Sequence, residues 1–133
     1  MRPTPLPEPT GSPIVNRGDI VLVEFPYSDL SDKKKRPALV VSSDEINEND
    51  KLYDVILALI TSNTNRVTCI DTQLLIEKAS AWGKSSGLLR DSVVRCDHLM
   101  TLHRSLIEKV IGKLPRSAMR EVDDRLKVAL DLP

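Results

Sequence analysis

Arg36, Thr61, Arg95 and Asp97 are polar side chains set at or beside the ends of apolar runs, and their types suit work on an anion. Arg36 follows Lys33-Lys34-Lys35 and directly precedes Pro37. Proline confines the residue before it to extended backbone, which aims this arginine reproducibly. Its planar fork matches two phosphate oxygens at once. Thr61 closes the run Asp54-Val55-Ile56-Leu57-Ala58-Leu59-Ile60, where a hydroxyl can donate to a phosphate oxygen, and Ser62 follows it. Arg95 and Asp97 stand at i and i+2 on an extended segment, so both point to one face. Each has a plainer alternative: a solvated arginine, a strand-end threonine, a structural ion pair.

Other chemistries find little support. There is no Gly-rich phosphate loop, no nucleophile elbow and no H-E-x-x-H. A zinc site needs four ligands, commonly in local pairs. Cys69, Cys96, His98 and His103 make no such pairing, so neither a metal nor another cofactor is expected. Nineteen cations balance nineteen acids, which excludes a generic nucleic-acid coat. The charges are unevenly spread, however. Residues 84–116 carry seven cations against three acids, and 33–36 are all cationic. A local basic face of this kind can hold a phosphodiester, although a solvated charge run is the commoner reading.

The elements that must position these residues are short strands. Asp19-Ile20-Val21-Leu22-Val23-Glu24-Phe25 is rich in β-branched residues and stops at Pro26. A polar loop, 27–36, leads to Ala38-Leu39-Val40-Val41-Ser42. Further strands are expected at 54–61, at 67–77 as one strand or a bent pair, at 92–96 and at 106–114. The acidic stretch 44–53 reads as a loop or short helix, and 79–87, around Trp82, as an exposed loop. Met119, Val122, Leu126, Ala129 and Leu130 then share one helical face, behind Pro115. Several short strands closed by one helix favour a mainly β fold, a small barrel with a docked C-terminal amphipathic helix.

Residues 1–15 hold five of the nine prolines and read as a flexible, proline-rich tail. Residues 16–133 then form one domain. No apolar stretch approaches membrane-spanning length, and no apolar segment follows Met1-Arg2 as in a secretory signal. The cytoplasm is the expected compartment, with no membrane partner.

Gly18-Asp19-Ile20-Val21-Leu22-Val23-Glu24-Phe25, then Lys35-Arg36-Pro37-Ala38-Leu39-Val40-Val41-Ser42, then Ile60-Thr61-Ser62, resemble in order and spacing the PemK/MazF toxins of type II toxin–antitoxin systems. Val93-Val94-Arg95-Cys96-Asp97 followed by Thr101 is especially similar to the Kid branch. The similarity runs from about Arg17 to Leu130. It implies an SH3-like barrel of the MazF/CcdB type, a homodimer, and a metal-independent endoribonuclease that cuts single-stranded RNA at short preferred sequences. It also implies a cognate antitoxin that neutralises the chain. Arg36, Thr61, Arg95 and Asp97 take the catalytic positions, with Asp97 as proton acceptor and Arg95 as charge stabiliser. Ser28, Lys33, Lys34, Lys35 and Ser62 take the RNA-binding ones. The Kid-like pattern has a histidine in the loop before Arg-Pro, and residues 27–35 here contain none. Metal-free cleavage uses the ribose 2′-OH as nucleophile and needs cationic donors for the phosphorane, which Arg36 and Thr61 suit. Two alternatives stay open on the same fold: a CcdB-like poison of DNA gyrase and a non-catalytic barrel that binds RNA or protein.

Overall fold

Runs of Val, Ile and Leu at alternating positions lay down six strands of one antiparallel sheet. In the computed structural model, which describes residues 14–24, 35–66 and 70–133, these are β1 (Asp19–Glu24), β2 (Lys35–Val40), β3 (Asp54–Thr61), β4 (Gln73–Ile76), β5 (Ser92–His103) and β6 (Ile107–Lys113). Their order is β4-β5-β3-β2-β1-β6. Helices α1 (Asp44–Asn47), α2 (Ala81–Ser86) and α3 (Arg116–Leu130) complete the described elements, with short 3₁₀ turns between them. The tail 1–13, the loop 25–34 and residues 67–69 lie outside the described residues. Val15 is buried, so packing reaches one residue ahead of the expected start at Asn16.

Strand alternation divides the apolar side chains between two cores. Ile20, Leu39 and Ala58 are level across β1, β2 and β3 and face α3, where they join Ala118, Met119 and Val122. Val21 and Ala38 face the other way, into a second core with Val40, Val55 and Leu57. Leu102 of β5 and Ile107 of β6 meet in that core, joined by the turn Arg104–Leu106. The expected mainly β fold with a docked C-terminal helix is thus present, as a sheet with a core on each face. Among the described residues no ladder closes it, and β4 and β6 remain its edges.

Three local expectations change. Residues 81–86, expected as loop, form α2. The Ser80 side chain caps it by accepting from the Gly83 amide, and Gly87 ends it in the left-handed region. The strand or bent pair expected over 67–77 is, from residue 70 on, a 3₁₀ turn, Ile70–Thr72, followed by the four-residue β4; its first three residues lie outside the described ones. β5 runs to His103 rather than Cys96, because a bulge carries it past its polar interruption. Leu59 is level with Arg95 but Ala58 with Leu99, so residues 96–98 are extra. Pro115 is the N-cap of α3, in the place expected of it.

Candidate active site

The first residues of β2 and the last of β3 open onto a groove of about 620 Å³. Its floor is a row across four strands. Lys109 is level with Leu22, Leu22 with Pro37, and the β2–β3 register carried one residue beyond Ala38–Leu59 sets Pro37 beside Ile60. The same register brings Arg36 level with Thr61 at the mouth. The opposite wall is the segment 87–92, where Leu88 is buried and Leu89 and Arg90 are exposed. Gly87 anchors this wall against β6. At φ +75° it sits so close that a Cβ would lie 2.1 Å from the Ile111 carbonyl oxygen.

The groove is cationic. Arg36, Arg90 and Lys109 line it, and its described lining residues include no carboxylate and no imidazole. No hydrogen bond or ion pair with a described residue ties down these three side chains. The acids next to the wall are already engaged. Asp91 accepts from the Lys78 amide at 2.7 Å, and Glu108 holds Lys35 Nζ at 2.6 Å. Thr61 Oγ1 accepts from the Asn63 amide at 3.1 Å, which leaves its own proton to donate. Ser62 is exposed on the rim. An arginine fork and a hydroxyl beside an apolar floor are suited to stabilising charge on a phosphate.

Arg95 and Asp97 do not line this groove. Thr61 is level with Val93, so Arg95 shares the face of Thr61 two residues, about 7 Å, farther along β5. Asp97 lies in the bulge, where Arg95 Nε (3.2 Å), Thr72 Oγ1 (3.0 Å) and Gln73 Nε2 (3.1 Å) all donate to it. Partial burial raises its pKa. The Gln73 and Thr72 hydrogen bonds and the Arg95 charge outweigh that, and the carboxyl is held below the ordinary aspartate value. A carboxylate so stabilised is a weaker proton acceptor than an ordinary aspartate.

Of the other expected RNA-binding residues, Ser28, Lys33 and Lys34 lie outside the described residues, and Lys35 is paired with Glu108. Trp82 packs against the first core and donates Nε1 to Ser117 Oγ at 3.1 Å, so its ring belongs to the α2–α3 contact. His103 is structural as well: Nδ1 accepts from the Ser105 amide and the ring lies against Tyr53. Arg90 and Lys109 were not singled out from the sequence. Only the excess of cations over 84–116 pointed toward them.

Comparison with known proteins agrees with this architecture. The family model described as PemK-like, MazF-like toxin of type II toxin–antitoxin systems matches residues 16–130. Endoribonuclease MazF6 of Mycobacterium tuberculosis and endoribonuclease MazF2 of Mycobacterium bovis are each 34% identical over 120 residues, covering 90% of this chain and 99% of theirs. Among solved structures, an endoribonuclease in complex with its cognate antitoxin from a mycobacterial species superposes with a TM-score of 0.69. It is 23% identical, covers 90% of this chain and 97% of that one, and shows the fold. With the family match spanning almost the whole described domain, this chain belongs to the PemK-like, MazF-like toxins of type II toxin–antitoxin systems.

Proposed function

We propose that the chain is an endoribonuclease toxin that cleaves single-stranded RNA without a metal ion. The observation that carries this reading is the pair Arg36 and Thr61, level in register at the mouth of a groove whose described lining holds cations and no carboxylate. The ribose 2′-OH gives its proton to water as its oxygen bonds to phosphorus, the P–O5′ bond breaks and the departing O5′ takes a proton from water, and the products end in a 2′,3′-cyclic phosphate and a 5′-hydroxyl. Charge grows on the non-bridging oxygens as the phosphorane forms. Arg36 donates two hydrogen bonds to them and Thr61 Oγ1 a third. The need for a 2′-OH selects RNA over DNA. Arg95 supports the strand farther along β5, and Asp97 is a positioning residue that fixes its guanidinium. The relatives named endoribonuclease, 34% identical along their whole length, support the same reaction.

The toxin works in the cytoplasm, as a homodimer, and is neutralised by a cognate antitoxin. A structural neighbour solved with its antitoxin supports that partnership. Light scattering that shows only a 14.8 kDa monomer would remove the dimer.

The test is incubation of purified protein with a long, mostly single-stranded RNA in EDTA, beside Arg36→Ala. Discrete cuts that vanish in the variant carry the reading. Uncut RNA together with inhibited supercoiling would transfer the chain to the gyrase poisons that share this fold.

A further inference from the structure

We infer that Arg90 and Lys109 form a second phosphate clamp, across the groove from Arg36, that holds the RNA strand beside the scissile phosphate while a base rests on the apolar floor. The inference rests on the endoribonuclease reading and adds a subsite to it. Lys109, Leu22 and Pro37 are consecutive in register across β6, β1 and β2. Two interstrand spacings put Lys109 about 10 Å across the sheet from the backbone next to Arg36. The two cations therefore do not share one phosphate; they stand at separate points along a bound strand.

Arg90 is presented by a wall that is fixed before any ligand arrives. Gly87 butts against β6, and the amide of buried Leu88 donates to Ser86 Oγ at 3.1 Å. Asp91 caps the Lys78 amide, and Ser92 Oγ donates to the Arg90 carbonyl at 2.9 Å. The backbone of Arg90 is thus pinned on both sides while its side chain, like that of Lys109, is exposed and has no described partner. A pinned backbone lowers the ordering cost of a charged contact. Between the cations, Leu22, Pro37, Ile60 and Leu88 offer a buried or half-buried apolar surface. Charge at the rim and an apolar floor match a nucleotide strand, with phosphates outside and a flat base within.

The experiment measures binding of a fluorescein-labelled, random-sequence 2′-O-methyl RNA, which cannot be cleaved, at salt between about 50 and 200 mM. The parent is compared with Arg90→Gln/Lys109→Gln and with Arg120→Gln/Lys127→Gln, a control on the exposed side of α3. Each lost phosphate contact removes about 0.7 from the slope of log K against log salt for a single strand. The clamp variant should therefore lose about 1.4 from the slope and roughly tenfold in affinity. Its KM should rise while kcat stays within about twofold, and the control should follow the parent. An unchanged slope and KM, in a protein whose Arg36→Ala form no longer cuts RNA, would overturn the clamp and leave the endoribonuclease reading standing. A parent that neither binds this probe nor cuts RNA would overturn both.

Discussion

Replacing Gly87 by alanine should damage both the fold and the groove, because two independent constraints meet at this residue. Its φ of +75° costs an L residue roughly 1–2 kcal/mol. An added Cβ would also lie 2.1 Å from the Ile111 carbonyl oxygen, so the wall must retreat from β6 by about 1.3 Å to reach ordinary contact. Forced overpacking of that kind costs a further 1–3 kcal/mol or so. Together these come to about 2–5 kcal/mol, a fall in melting temperature of roughly 6–15 °C for a domain of this size. The retreat carries Leu88, Leu89 and Arg90 with it, and misplacement by about 1 Å at a reaction site can cost on the order of 10²-fold in rate. Thermal unfolding followed by circular dichroism, with RNA cleavage well below the melting temperature, reads both effects. Gly87→Asn separates the causes. Asparagine tolerates positive φ but keeps the Cβ, so it should recover only the dihedral part. If Gly87→Asn matches the parent in stability and rate, the close approach to Ile111 is not what sets the wall.

Three further outcomes follow from the geometry. Thr61→Ala should lower kcat by about 10²-fold with little change in KM, as for loss of one donor to a developing oxyanion, while Thr61→Ser should keep most of the rate. Asp97 has a folded pKa below its unfolded value, so its stabilisation is present above about pH 4 and disappears as pH falls through the lower folded value. The melting-temperature gap between the parent and Asp97→Asn should therefore be widest near neutrality and close in acid; a gap independent of pH would show that the ionised carboxylate is not the stabilising form. Cys96 is fully buried, and desolvation pushes its thiol up to about 11, so peptide mapping after native iodoacetamide treatment at neutral pH should leave it unmodified. Denaturant should expose it.

Much of the scaffold was legible because its signals are local. The apolar run of β3 ends where its polar neighbours begin, and the expected strand and the observed one coincide at 54–61. The α3 stripe was read from its spacing, although Leu130 at its far end is half exposed. α2 escaped notice because Gly83 and two serines give it poor helix propensity. The Ser80 cap and Gly87 hold it in place, together with Trp82 packed toward α3. The bulge in β5 was invisible for a different reason. Arg95, Cys96 and Asp97 alternate like any strand, and only pairing with β3 shows that residues 96–98 are extra. The same distinction divides the site. Arg36 and Thr61 could be found because each marks a strand end. Arg90 and Lys109 belong to a wall and an edge strand far apart in sequence, and only the sheet order and the contact between Gly87 and Ile111 bring them to one groove.

The central claim is that the RNA's own 2′-hydroxyl attacks a phosphate held by Arg36. Its most direct test uses one mapped cleavage site in a short RNA, with a single 2′-deoxy nucleotide placed on the 5′ side of the scissile bond. This RNA should stay intact while still competing for the enzyme, and the unmodified RNA should yield a 2′,3′-cyclic phosphate and a 5′-hydroxyl. Cleavage of the deoxy substrate at the parent rate would contradict the claim.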